Sequence, residues 1–121
     1  MTAPKSFSSL DRGHSAEQRA CEYLLGRGLA LRERNYRTPF GEIDLIMDEG
    51  DTVVFVEVRM RRSPDYGSPA ETVDRRKQGR LRASAEYYLQ RQGRTRPCRF
   101  DVVALTGAPQ DARLEWLQNA F

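Results

Sequence analysis

The sequence predicts a mixed α/β domain in the order helix, strand, strand, strand, helix, strand, strand, with a central sheet flanked by helices. Three observations lead there. A capping-box pattern opens an apolar stripe of helical period near the N-terminus. Two alternating runs flank an Asp- and Gly-rich turn at 48–51. A second amphipathic stretch starts at Asp74 and is followed by two more alternating runs. A chain of 121 residues suits a single core without disulfides or structural metals.

Residues 1–13 carry Ser, Pro and Gly without a period and read as a flexible lead-in, leaving 14–121 as one domain. Ser15-Ala16-Glu17-Gln18 has the capping-box form, and the helix it opens runs to Arg27, with Gly28 placed to end it. Ala16, Ala20, Cys21, Tyr23 and Leu24 form its inner stripe, and Glu17 lies within or beside that stripe. An acid there is either a fringe carboxylate favoured by the helix dipole or one that requires a partner. Leu29 to Arg37 has a weak strand pattern, and Thr38-Pro39-Phe40-Gly41 turns into a β-hairpin. Met60 to Pro69 reads as a basic loop. The second helix runs from an Asp74 N-cap to Arg91, with Val73, Leu81, Ser84, Ala85 and Tyr88 inward and Lys77 on the same stripe. Arg99 to Leu105 and Arg113 to Leu117 are the last strands, Trp116 serving as a core anchor.

The hairpin holds the unusual chemistry. Ile43, Leu45 and Met47 share one face and Glu42, Asp44 and Ile46 the other, because side chains alternate along a strand. In the second run Val54, Val56 and Val58 oppose Val53, Phe55, Glu57 and Arg59. A turn pairing Met47 with Thr52 sets Glu42 opposite Glu57 and makes Asp44 the diagonal neighbour at roughly 7–8 Å between Cα atoms. Three carboxylates then crowd one patch. Close ionised carboxylates repel, and burying them costs several kcal/mol unless a cation compensates. Two readings stand: a solvated face with an ordinary Glu57–Arg59 salt bridge, or a site whose cation is Arg59 or a metal.

The net charge is +3, yet the stretch from Arg59 to Arg99 carries twelve basic residues against four acidic ones. Such a patch suits a polyanion, since phosphate neutralisation dominates nucleic-acid affinity. Its plain alternative is a solvated face in an Arg-rich composition, eighteen of the twenty basic residues being Arg. Cys21 and Cys98 lack metal-ligand spacing, and His14 is the only histidine, so free thiols in a reducing cytosol are expected. The N-terminus lacks an apolar signal core, and no apolar run approaches the ~20 residues of a membrane span. The expectation is a soluble cytoplasmic protein with no membrane partner.

Gly13, Glu17, Ala20, Tyr23 and Leu24, then Asn35-Tyr36-Arg37, the run from Gly41 to Ile46, the run from Val54 to Arg59, Gly67-Ser68-Pro69, Lys77, the run from Phe100 to Val103 and Asn119-Ala120-Phe121 together resemble the YraN family of small bacterial proteins. That family looks like the restriction-endonuclease-like PD-(D/E)XK superfamily. It is similar to archaeal Holliday-junction resolvases in placing a helix Glu before the sheet acids. The resemblance implies an αβββαβ core with an extra C-terminal strand and a Mg²⁺- or Mn²⁺-dependent endonuclease acting on DNA phosphodiesters, branched DNA included. It implies Asp44 and Glu57 as metal-binding acids, the Val58 carbonyl completing the site, Glu17 as an additional catalytic carboxylate, and Arg59 where the signature has Lys. Arg61, Arg62, Arg76, Lys77 and Arg80 are the candidate nucleic-acid contacts, and a homodimer is implied by superfamily relatives. An alternative is a nucleic-acid-binding module with the nuclease fold and weak or absent catalysis, because Arg does not exchange its proton easily. Lys77 is the candidate to supply the ammonium that Arg59 replaces, if its helix packs beside Glu57.

Overall fold

The computed structural model describes residues 9–63, 73–93, 95–108 and 111–121, with side chains from Ser15 onward. Its elements are α1 (Ser9–Gly26), β1 (Ala30–Thr38), β2 (Gly41–Glu49), β3 (Thr52–Arg61), α2 (Arg75–Gln92), β4 (Cys98–Thr106) and β5 (Arg113–Leu117). The five strands form one sheet in the order β1-β2-β3-β4-β5. All neighbours are antiparallel except β3 and β4, which are parallel because the chain crosses between them through α2. The predicted αβββαβ core with its extra strand is therefore the observed one.

Alternation in the central strands feeds two cores. On one face Ala16, Ala20, Cys21 and Leu24 of α1 pack on Leu45, Met47, Val54, Val56, Val103 and Leu105. On the other, Leu81, Ala85 and Tyr88 of α2 pack on Ile46, Val53, Phe55, Phe100 and Val102. Helices on both faces explain why Val53 to Val56 form an unbroken apolar run in place of an alternating one.

Helix α2 has the expected ends. Asp74 Oδ1 accepts from Lys77 N at 2.8 Å, and Gly93 at φ 73° closes the helix in the left-handed region. Helix α1 does not. It begins at Ser9, so the supposed lead-in contributes helix and Ser15 lies inside it. Gln18, which a capping box would turn back, instead donates to Glu22 Oε2 at 2.6 Å and accepts from Arg34 Nη1 at 2.7 Å. Tyr23 is also displaced from the expected stripe: it is 38% exposed and meets Trp116 edge-on at 6.3 Å.

Strand β3 continues through Met60 and Arg61, which the sequence assigned to a loop; the remainder of that loop, with Gly67-Ser68-Pro69, lies outside the described residues. Trp116 packs against the α1 core as anticipated, and its Nε1 donates to Asp101 Oδ2 at 2.9 Å. Asp101 is wholly buried, and Arg99 at 3.0–3.2 Å and Asn119 N at 2.9 Å complete its shell. Cys21 and Cys98 are free thiols. Among the described residues no helix is long and apolar enough to cross a membrane.

Candidate metal centre

The β2–β3 turn consists of Gly50 and Asp51 alone, since Glu49 pairs with Thr52 and Met47 with Val54. The expected Met47–Thr52 register is therefore wrong by two positions. Gly50, at φ 58°, takes the positive angle a two-residue hairpin turn needs. Asp48, which reads as a turn residue, is held in the strand by Arg32 at 2.9 Å and Arg96 at 3.0 Å. An even slip keeps each side chain on its face but changes its partner. One position beyond the Leu45–Val56 pair, Asp44 and not Glu42 falls across from Glu57.

At that point the sheet forks. Regular β2–β3 pairing stops at Leu45–Val56, whereas β1–β2 continues to Thr38–Gly41 and β3–β4 to Arg61–Thr106. Asp44 fills the gap: its Oδ2 accepts from Val58 N at 2.9 Å, in place of a main-chain acceptor. Across β1–β2, between the pairs Arg34–Leu45 and Tyr36–Ile43, Asn35 faces Asp44 with φ 48°. Asn is among the few residues that tolerate this left-handed region. Its Nδ2 donates to Glu17 Oε1 at 2.8 Å and reaches Glu42 Oε1 at 3.5 Å. The alternation breaks here too. Ile43 packs with Ile46 and Tyr36 in the α2 core, not with Leu45 and Met47 as the strand period predicted.

The fork admits side chains from both helices. Carboxylate oxygens of Glu17 from α1 and of Glu42 and Asp44 from β2 all lie within 4.8 Å of one another. Beside them Glu57, 4% exposed, has its Oε2 2.9 Å from Lys77 Nζ and 3.6 Å from Arg59 Nη1. Burial, followed by the charge of Glu57 and more weakly that of Glu17, pushes the Asp44 carboxyl up to about 8, against the opposing hydrogen bond from Val58 N. A group this strained by its neighbours is one that a cation would relieve. The donor set fits a hard divalent ion, which takes oxygen ligands, Mg²⁺ at ~2.0–2.1 Å and preferring one or two carboxylates with the rest water and phosphate. Arg37 offers Glu42 only an exposed pairing at 3.3 Å, which water screens.

The structure thus brings together Asp44, Glu57 and Glu17 as anticipated. Val58 joins through its N–H, where the expectation named its carbonyl. Glu42 was expected in the carboxylate patch but not named as a site residue; its spacing of two from Asp44 was the available signal. Asn35 was quoted for the family resemblance but given no role; its only other signal was being a turn-favouring residue inside a strand pattern. Lys77 and Arg80 line a groove of about 290 Å³ with Phe40, Glu42, Asp44 and Ser84. Arg62 and Arg76 are exposed. Arg61 is not brought to this groove: its side chain is 10% exposed, donates to Thr106 Oγ1 at 3.0 Å and faces Glu115 at 3.9 Å.

Comparison with known proteins adds a family. The model for "Uncharacterised protein family UPF0102" matches residues 16–105. A UPF0102 protein of Nitrosococcus oceani is 48% identical over 119 residues, covering 97% of this chain and 96% of that protein. One from Pseudomonas paraeruginosa is 49% identical over 118 residues, covering 94% of each chain. One from Pseudomonas putida is 50% identical over 112 residues, covering 90% and 91%.

Proposed function

The chain belongs to the UPF0102 (YraN) family, and from that membership and the site it carries we propose that it is a metal-dependent DNA endonuclease of the cytoplasm. One observation carries the reading. Four carboxylates from α1, β2 and β3 converge at a sheet fork, with a lysine from α2 against the most buried of them, on a groove whose wall is cationic.

Each residue has a part. Glu17, Glu42 and Asp44 would hold Mg²⁺ or Mn²⁺, with Glu57 adjoining through Asp44. Bound there, the ion would activate a water and offset charge developing on the scissile phosphate. Val58 N fixes the Asp44 carboxylate, Asn35 orients Glu17, and Lys77 with Arg59 holds Glu57 in place. Arg80, exposed on the groove wall, offers a phosphate contact, and Lys77 presents an ammonium on the same side. The test is cleavage of duplex, single-stranded and four-way DNA with either metal. Cutting that requires metal and disappears in Asp44→Ala and Glu57→Ala is expected; cutting that survives both substitutions overturns the assignment.

Arg59 favours a second reading, a nucleic-acid-binding module with weak or absent catalysis, because a planar guanidinium places its charge differently from the ammonium of the signature. Arg59→Lys separates the two. A gain of cleavage marks an intact site handicapped at one position, whereas salt-dependent binding without cutting in either protein marks a binder.

A further inference from the structure

We propose that Phe40 is a stacking platform for an unpaired nucleobase in the groove of the acid cluster, so that DNA carrying a single-stranded flap is bound in preference to a continuous duplex. The inference rests on the nucleic-acid reading of the groove and adds to it which form of DNA fits.

Phe40 is the most exposed large apolar side chain among the described residues, at 51%. The other phenylalanines of the described sheet, Phe55 and Phe100, are buried and stacked on one another. A single exposed apolar residue is ordinary, but this one is fixed in place. It sits in the tight turn between β1 and β2, where Thr38 Oγ1 accepts from Phe40 N at 3.0 Å and from Gly41 N at 3.2 Å. The same hydroxyl lies 2.8 Å from Ser84 Oγ on α2, which ties the turn to the helix. The ring meets Tyr87 of α2 edge-on at 6.5 Å, and Arg91 lies over Tyr87 at 5.3 Å. The platform is therefore preorganised, and ordering it on binding costs little.

Its surroundings select the occupant. Phe40 lines the same groove as Asp44, Lys77 and Arg80, one residue before the strand that carries Asp44. A flat apolar face beside cations calls for a ligand that carries both a π-surface and negative charge along one chain. A nucleotide strand has that combination, with phosphates for Lys77 and Arg80 and a base for the ring. Bases inside a duplex are stacked on one another and do not present a free face, so the ring gains only from a base already released from its stack.

The experiment compares the full-length wild type with Phe40→Ala and Phe40→Trp in Ca²⁺ or EDTA, which keep the DNA uncut. The probes are a blunt duplex and the same duplex with a short single-stranded flap, 2-aminopurine marking the first unpaired position. Wild type and Phe40→Trp are expected to prefer the flapped DNA by roughly 5- to 100-fold and to quench the 2-aminopurine. Phe40→Ala should lose both effects while its blunt-duplex affinity stays within about twofold, which also shows that the variant is folded. Equal binding of the two DNAs by the wild type, or a preference that survives in Phe40→Ala, overturns the inference and leaves the nucleic-acid reading standing. Absence of salt-dependent binding to either DNA overturns both.

Discussion

Lys77 Nζ stands 2.9 Å from Glu57 Oε2, and Arg59, two residues along β3, stands 3.6 Å from the same oxygen. One nearly buried carboxylate is thus held by a helix ammonium and a strand guanidinium together. The ammonium that the resemblance would place on β3 is present at the same carboxylate but arrives from α2.

Removing the closer cation should therefore destabilise the fold. Breaking a fully buried pair costs about 3–5 kcal/mol. Lys77 is about a third exposed and Arg59 remains, so Lys77→Met is expected to cost about 1–2 kcal/mol in urea unfolding, with an unchanged m-value. Lys77→Arg should recover part of that loss. A Lys77→Met variant as stable as wild type would show that the pair contributes nothing.

Asp44 gives the metal-free protein a pH dependence of stability. Its folded value, about 8, is raised above the ordinary carboxylate value of about 3.9. A group raised in the folded state contributes stability that is fully present below its unfolded value and is lost as pH climbs through the folded one. Unfolding free energy in EDTA should fall between about pH 4 and 8. Asp44→Asn, which keeps an acceptor for Val58 N, should flatten that slope and exceed wild-type stability at pH 8 by about 1–3 kcal/mol. Urea midpoints at pH 5 and pH 8 decide the matter, and an Asn variant less stable than wild type at both values would contradict it.

The carboxylates should not be equivalent toward metal. Glu17, Glu42 and Asp44 present oxygens to one another, whereas Glu57 faces Lys77. In Mn²⁺ titration calorimetry, Glu42→Gln and Glu17→Gln are each expected to weaken binding about 10-fold or more, and Glu57→Gln less than either. A larger loss at Glu57 than at Glu42 would return the ligand set to Asp44 with Glu57.

Asp101 should matter to stability and not to DNA. Fully buried, it accepts from Arg99, Trp116 and Asn119 N, linking β4 to β5 and the C-terminal residues. Asp101→Ala leaves the indole N–H and the Asn119 N–H without this acceptor and leaves Arg99 with Glu49 alone, and should cost about 2–4 kcal/mol. Affinity for duplex DNA, measured below the lowered unfolding midpoint, should stay within about twofold.

The sequence carried the element order because long periodic runs and end signals such as Asp74 and Gly28 are local. Asp44 and Glu57 were legible as acids misplaced on strand faces, whereas Glu17 entered the site through the family resemblance. What was not legible depends on geometry between segments. Asp48 and Glu49 have the composition of a turn and become strand only because Arg32, Arg96 and Arg99 from distant elements hold them. That single difference moved the register and put Asp44, not Glu42, across from Glu57. The start of α1 was missed because the Ser15 pattern mimics a cap whose Gln18 is engaged elsewhere. Asn35 was missed because a left-handed residue in mid-strand leaves no trace in hydrophobic period.

The substitution of a side chain for a main-chain acceptor at the fork has a consequence for which acids are interchangeable. Asp44 reaches Val58 N with one methylene between backbone and carboxylate; a glutamate there would overshoot the ladder or push β2 and β3 apart. Glu17 and Glu42 carry no such duty to the backbone. The reach of the sheet itself confines the acid at 44 to aspartate, whereas its companions can exchange carboxylate for carboxylate as long as an oxygen arrives.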